Sequence, residues 1–159
     1  MNILFLCTGN SCRSIFAEAL LNHLAPQGWR AMSAGSHPTG KIHPLTLALL
    51  AKEGIATDGY FSKSWEQLPA VPDIVITVCA EAAGEFCPAY PGPVLRAHWG
   101  VEDPAQARGT TAEIEAVFVT VYQKLRRRME AFLALPLAEL QHDRVRLAAA
   151  LNSPEILGE

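Results

Sequence analysis

The chain has 159 residues, of which 50% are hydrophobic, and its 13 basic and 16 acidic residues give a formal net charge of −3. This length predicts one compact domain with a sizeable buried core. The small negative charge, without a long basic run, argues against nucleic acid or an anionic membrane as a partner, and the apolar runs are too short to span a bilayer.

Four cysteines, at positions 7, 12, 79 and 87, are too few for a secreted scaffold stapled by disulfides. The apolar start of the chain lacks the basic region and the cleavage site of a signal peptide. We therefore expect a cytoplasmic protein, in which each cysteine is either a buried hydrophobic residue or part of a chemical site.

Predicted strands and helices alternate in the first half of the chain. Residues 2–7 form an apolar run typical of a buried strand, and from residue 17 to 24 apolar residues recur at helical spacing. A second strand is predicted at residues 29–34, just before Gly35. A second helix is predicted from Pro44, a favourable first residue of a helix, to Gly54.

The alternation continues in the second half. Residues 73–79 and 94–99 are predicted strands, and Thr110 with Glu113 forms a capping box that starts a long helix. This pattern predicts an α/β fold in three layers, with a four-stranded parallel sheet between helices on both faces and ligands beyond the carboxyl ends of the strands. Residues 1–135 form the predicted main domain, and residues 136–159 a peripheral helix and tail.

The strongest chemical signal is the segment between the first strand and the first helix, where five residues separate Cys7 from Arg13. Backbone amides in such a loop, next to a helix N-terminus, form a cradle for a tetrahedral oxyanion. The guanidinium of Arg13 can bind two oxygens of that anion. The predicted oxyanion-binding residues are Thr8, Gly9, Asn10, Ser11, Cys12, Arg13 and Ser14.

Cys7 is the predicted nucleophile. An ordinary thiol has a pKa of about 8.5, and a helix N-terminus with a nearby cation can lower it to roughly 3.5–7.5, so that the thiolate predominates. The Ser14 hydroxyl can donate to the sulfur and stabilise its charge. Cys12 lies inside the loop and is better explained as a small packing residue.

These residues resemble the low-molecular-weight tyrosine phosphatase family, and the rest of the chain is similar to its arsenate reductase branch, whose members are coupled to thioredoxin or glutaredoxin. The likeness extends from residue 2 to about residue 135. It is carried by the loop at 7–14, by Ser33-Ala34-Gly35, by Val75-Ile76-Thr77-Val78-Cys79, by Cys87-Pro88, and by His98-Trp99-Gly100 before Asp103-Pro104.

The resemblance implies a catalytic set of Cys7, Arg13, Cys79, Cys87 and Asp103. Asp103 would be the general acid that protonates the leaving oxygen. Cys79 and Cys87 flank a segment of small residues and would relay a disulfide from Cys7 to the surface, where thioredoxin or a glutaredoxin-type donor reduces it. The implied substrate is arsenate, with phosphate or sulfate as analogues, and the implied role is detoxification in arsenical resistance.

The resemblance also bears on metals and cofactors, and none is expected. Some members of the family hold a potassium ion near the loop, and Asn10, Glu18 and Ser33 match three of its four ligands, while the fourth position is Lys63. The ammonium of Lys63 would replace the ion, which predicts activity insensitive to potassium. The histidines are not at metal-ligand spacing with cysteines or acids.

Two alternatives share the same loop. In a tyrosine phosphatase, Cys7, Arg13 and Asp103 would hydrolyse a phosphoester, and Cys79 and Cys87 would be bystanders. Ala105 argues against this alternative, because the phosphatase branch has an aromatic residue after its Asp-Pro pair. In a non-catalytic oxyanion-binding or redox-sensing module, Cys7 would oxidise reversibly and Asp103 would have no role.

Overall fold

Four parallel strands form the centre of the computed structural model, which describes residues 1–80 and 87–158. They are β1 (Asn2–Cys7), β2 (Arg30–Gly35), β3 (Ile74–Thr77) and β4 (Leu95–His98), and their order in the sheet is β2-β1-β3-β4. The predicted four-stranded parallel α/β fold is confirmed. β3 and β4 end earlier than predicted, but all four carboxyl ends lie at one edge of the sheet.

The residues of β1 alternate between two buried faces of the sheet. Ile3 and Phe5 face the larger core cluster, which contains residues of the three longest helices, α1 (Arg13–Leu24), α2 (Pro44–Lys52) and α3 (Thr111–Leu133). Leu4 and Leu6 face the opposite cluster, which is covered by Trp65 of a short 3₁₀ helix and by loop residues. Burial on both faces explains why the strands are continuous apolar runs.

The C-terminal residues contain three short helices where the sequence predicted a single one. These are α4 (Leu137–Leu140), α5 (Arg144–Leu151) and α6 (Pro154–Leu157). Leu147, Leu151 and Ile156 are buried in the larger cluster, and the indole nitrogen of Trp99 donates to the Leu151 carbonyl at 2.9 Å. The proposed division after residue 135 stays a prediction. No helix in the described ranges has the length and apolar character that crossing a membrane requires.

Candidate active site

The loop at residues 7–14 connects the carboxyl end of β1 to the N-terminus of α1, as predicted. Cys7 is 2% exposed. Its Sγ lies 3.2 Å from the backbone nitrogen of Asn10, which donates to it, and 2.9 Å from Ser14 Oγ. Asn10 has a φ of 47°, a left-handed conformation that asparagine tolerates better than most residues. The loop therefore curls around the sulfur of Cys7.

A buried polar network fixes the side chain of Asn10. Its Nδ2 donates to Ser14 Oγ at 2.8 Å and to Ser33 Oγ at 3.0 Å. Its Oδ1 accepts from the backbone nitrogen of Lys63 at 2.9 Å, and Ser33 Oγ donates to Glu18 Oε1 at 2.6 Å. Because these groups are buried and hydrogen-bonded to one another, the network holds the loop in one conformation.

Glu18 and Lys63 place opposite charges beneath the loop. Burial raises the pKa of the Glu18 carboxyl, and the hydrogen bond from Ser33 and the charges of Lys63 and Arg30 oppose that rise. Burial lowers the pKa of the Lys63 ammonium, and the charge of Glu18 opposes that fall. Lys63 Nζ donates to the Phe61 carbonyl at 2.9 Å and lies 4.5 Å from the centre of the Phe61 ring.

Arg13 and Asp103 are ninety residues apart in the chain and meet at the mouth of the loop. Arg13 Nη2 lies 3.6 Å from Asp103 Oδ2, and Arg13 Nη1 donates to the Val101 carbonyl at 3.3 Å. Asp103 Oδ1 accepts from the Ala105 amide at 3.0 Å and caps a short 3₁₀ helix. Cys7, Arg13 and Asp103 therefore line one cavity of about 370 Å³. Its other lining residues are Thr8, Gly9, Asn10, Ser11, Cys12, His37, Thr39, Ala105 and Gln106.

The second cysteine of the loop, Cys12, is buried and keeps its proton. Its side chain is buried in the larger core cluster, and burial raises the pKa of its thiol to about 11, against hydrogen bonds with Thr46 and Ser11 that lower it. At neutral pH the Cys12 thiol is therefore protonated, which favours a packing role for its side chain over nucleophilic chemistry.

Cys79 and Cys87 are joined by a disulfide, with Cα atoms 5.7 Å apart. Cys79 follows β3, which pairs with β1 in parallel, so that Cys7 and Cys79 lie beyond neighbouring strands at the same edge of the sheet. Cys79 is fully buried, whereas Cys87 is half-buried. Residues 81–86, which belong to the small-residue segment between Cys79 and Cys87, lie outside the described residues.

His98 is a residue to which the sequence assigned no chemistry, and the structure brings it to the disulfide. Its Nδ1 lies 3.7 Å from Cys87 Sγ and 2.7 Å from Thr77 Oγ1. The sulfur atoms of Cys79 and Cys87 and a ring nitrogen of His98 all lie within 4.8 Å of one another. Thr77 and His98 are register partners at the ends of the adjacent strands β3 and β4. The strand order would have predicted this contact, but the sequence did not reveal that β3 and β4 are neighbours.

Comparison with known proteins gives concordant results. The family model described as low molecular weight phosphotyrosine protein phosphatase matches residues 2–146. An arsenate reductase of Halalkalibacterium halodurans is 39% identical over 131 residues, which cover 82% of this chain and 93% of the relative.

Solved structures of arsenate reductases have a similar fold. The structure of an arsenate reductase in its oxidised state has a TM-score of 0.65 and 26% identity, and the match covers 81% of this chain and 93% of the other. A thioredoxin-dependent arsenate reductase of Corynebacterium glutamicum has a TM-score of 0.55 and 28% identity, and the match covers 91% of this chain and 62% of that longer one.

Proposed function

The chain belongs to the low molecular weight phosphotyrosine protein phosphatase family, and we propose that it is an arsenate reductase in which Cys7, Cys79 and Cys87 act in turn. The observation that carries the proposal is the Cys79–Cys87 disulfide at the sheet edge that also bears the Cys7 loop. Phosphoester hydrolysis has no use for such a pair, whereas reduction of arsenate needs two electrons, which two thiols supply when they form a disulfide.

The first step is attack of the Cys7 thiolate on arsenate. The amides of residues 8–14 and the fork of Arg13 would bind the oxyanion, as they would phosphate or sulfate. Asp103, held at the same cavity by its contact with Arg13, would donate a proton to the oxygen that leaves arsenic. The product is a covalent adduct between Cys7 sulfur and arsenic(V).

The second and third steps transfer the disulfide outward. Cys79 attacks the sulfur of Cys7, the sulfur–arsenic bond breaks with its electron pair going to arsenic, and arsenite leaves. Cys87 then attacks Cys79 and releases Cys7. Exposure supports this order, because Cys7 and Cys79 are buried while Cys87 is half-buried. The last exchange therefore moves the disulfide to a pair whose Cys87 a protein reductant can approach.

The donor that reduces the final disulfide is a dithiol protein. Thioredoxin is the preferred donor, by analogy with the C. glutamicum protein, and a glutaredoxin-type protein is the alternative. A reducing cytoplasm suits this cycle, because Cys7 must be a free thiol before each turnover. In this proposal the two electrons come from thiols, and the reaction requires neither an organic cofactor nor a metal.

One experiment tests the proposal. Arsenite release is measured with a thioredoxin system, and p-nitrophenyl phosphate hydrolysis is measured in parallel, for the native protein and for Cys7→Ser, Cys79→Ser and Cys87→Ser. We expect Cys7→Ser to abolish both activities, and Cys79→Ser and Cys87→Ser to abolish sustained arsenite release while ester hydrolysis persists. Undiminished arsenate turnover by Cys79→Ser would rule out the relay. Ester hydrolysis by a native protein that releases no arsenite would favour the phosphatase alternative.

A further inference from the structure

We propose that His98 is the acid–base residue of the last relay step, where it takes the proton of the Cys87 thiol as Cys87 attacks Cys79. This inference rests on the proposed arsenate reductase activity. The group that touches the reacting sulfur is the His98 imidazole, with Nδ1 3.7 Å from Cys87 Sγ. The structure contains the Cys79–Cys87 bond and so describes the product of this step. In the transition state Cys87 Sγ is already close to its bonded position, and therefore close to His98.

The Thr77 hydroxyl can remain a hydrogen-bond partner of His98 while the imidazole gains and loses a proton. Its hydroxyl oxygen lies 2.7 Å from His98 Nδ1 and 3.4 Å from the Ala97 carbonyl. When Nδ1 carries no proton, the hydroxyl can donate either to Nδ1 or to the Ala97 carbonyl, and in the second case the lone pair of Nδ1 is free to accept the Cys87 proton. When Nδ1 is protonated, the hydroxyl can accept from the imidazole and turn its own proton toward the Ala97 carbonyl. One side chain can therefore hold the ring in place in both protonation states.

The His98 ring occupies space that a side chain at position 100 would fill. A Cβ atom at position 100 would lie 2.6 Å from His98 Nε2 and 2.7 Å from the Cys79 carbonyl oxygen. Any larger residue would have to displace the imidazole or the backbone beside the disulfide. Gly100 therefore leaves the room in which the ring of His98 approaches Cys87.

Among the described residues that line the cavity beside Cys87, His98 is the group that can accept a proton at neutral pH. Both residues line a cavity of about 350 Å³ whose other lining residues are Val75, Thr77, Pro88, Ala89, Arg96, Ala97 and Asn152, so the imidazole can exchange its proton with water. Among the described residues that line this cavity the charged one is Arg96, and Arg128 binds the backbone that follows His98. The carboxylates of Glu102 and Asp103 line a separate cavity together with Ala80. Arg96 lies on β4 and donates to the Tyr90 and Gly92 carbonyls; Arg128 of α3 donates to the Trp99 and Gly100 carbonyls. The cavity wall, as far as it is described, offers Cys87 no carboxylate.

The step balances in atoms and electrons. Cys87 passes its thiol proton to His98, and the resulting thiolate forms a bond to Cys79 sulfur. The Cys7–Cys79 bond breaks, and its electron pair stays on Cys7, which leaves as a thiolate. The imidazolium then loses its proton to water in the cavity. When a dithiol donor later expels Cys87 as a thiolate, His98 first takes up a proton from water and then passes it to that thiolate.

The expected effect has an upper limit set by thiol ionisation. With an ordinary pKa of about 8.5, only about 3% of a thiol is ionised at pH 7, so a base can accelerate this step by no more than roughly 30-fold, and the advantage fades near pH 9. This pH dependence separates proton transfer from a merely structural role for His98. A structural defect would lower the rate by a similar factor at both pH values.

The test is a single turnover of the reduced protein with arsenate and no reductant, quenched with acid at intervals, alkylated and analysed by peptide mass spectrometry. The variant is His98→Asn, whose amide cannot accept the proton, and the matched control is His142→Asn at an exposed position. For His98→Asn we expect a native burst of arsenite, accumulation of the Cys7–Cys79 disulfide, and Cys79–Cys87 formation that is slower by roughly 10- to 30-fold at pH 7 and within about threefold of native at pH 9.

Four results would overturn the inference. They are native kinetics of His98→Asn at pH 7, an equal loss at pH 7 and pH 9, a slowed arsenite burst, or failure of the native protein to release arsenite, which also overturns the proposed function. If His98→Asn does not fold, Thr77→Val keeps the histidine but removes its partner. It should slow Cys79–Cys87 formation several-fold at pH 7 and leave p-nitrophenyl phosphate hydrolysis unchanged, and no slowing there would overturn the inference equally.

Discussion

The hydroxyl oxygen of Ser14 lies 2.9 Å from the sulfur of Cys7 and accepts a hydrogen bond from Asn10 Nδ2 at 2.8 Å. Because Asn10 supplies a proton to the oxygen, the hydroxyl's own proton is available to the Cys7 thiolate. A hydrogen bond to a charged group contributes about 1.5–3 kcal/mol, so Ser14→Ala should slow both arsenite release and ester hydrolysis by roughly 10- to 100-fold. Initial rates at saturating substrate measure this, with the remote Ser153→Ala as the control. Equal rates for the two variants would show that the hydroxyl does not stabilise the thiolate.

The loss of rate on replacing Asp103 should depend on whether the leaving group of the substrate must be protonated. Asp103→Asn keeps an oxygen that can accept from the Ala105 amide, and so preserves the 3₁₀ helix, but it cannot donate an acidic proton. We expect arsenite release to fall by about 10²–10⁴-fold. Hydrolysis of p-nitrophenyl phosphate should fall much less, because its leaving group is a stable anion. The control is Asp58→Asn at an exposed position, and a uniform loss for both substrates would argue against general-acid catalysis.

Cys12 should make stability depend on pH in the alkaline range. Burial raises the pKa of its thiol from 9.0 to about 11 in the folded protein. Between these values the unfolded chain loses the proton while the folded protein retains it, so the free energy of unfolding falls as pH rises, by up to about 1.4 kcal/mol per pH unit.

Urea unfolding of native protein and Cys12→Ala at pH 7, 9 and 10.5 measures this contribution. The difference in the free energy of unfolding between the two proteins should be constant up to about pH 8, begin to shrink at pH 9 and be smallest at pH 10.5, because the other titrating groups are common to both. Parallel curves over the whole range would mean that the thiol of Cys12 ionises equally in the folded and unfolded states.

Lys63 should make the enzyme indifferent to potassium. Its backbone amide donates a hydrogen bond to Asn10 Oδ1. Its ammonium and the Glu18 carboxylate carry opposite charges beneath the loop. We expect no measurable change in arsenite release when potassium replaces sodium at constant ionic strength. Lys63→Asp restores the fourth ligand of the potassium site that the family resemblance implies, and it should make activity rise with potassium. Strong stimulation of the native protein would contradict the interpretation.

Sequence alone predicted the parts of the site that are local in the chain. Cys7, Arg13 and the amides between them belong to one strand–loop–helix unit, whose geometry follows from its own residues. Thr110 and Glu113 form the predicted capping box for the same reason, since a helix N-terminus is specified by residues three positions apart.

Contacts between distant segments required the three-dimensional structure. The contact of His98 with Cys87 depends on the adjacency of β3 and β4, and periodicity gives the strands but not their order. The burial of the C-terminal residues was not predicted, because apolar side chains are sparse in this part of the sequence. Leu147 and Leu151 nevertheless find a partner surface on the core that local pattern does not show.

Leu151 should therefore contribute to stability as a core residue. It is fully buried, and its carbonyl accepts from the indole of Trp99, the residue that follows β4. Leu151→Ala removes buried apolar volume and should lower the free energy of unfolding by about 2–5 kcal/mol. Val145 lies on the same helix but is 81% exposed, so Val145→Ala should change it by no more than about 0.5 kcal/mol. Urea unfolding followed by tryptophan fluorescence compares the two. A similar small change for both would mean that α5 is a peripheral appendage, whereas the expected difference would mean that residues beyond 135 belong to the core of the protein.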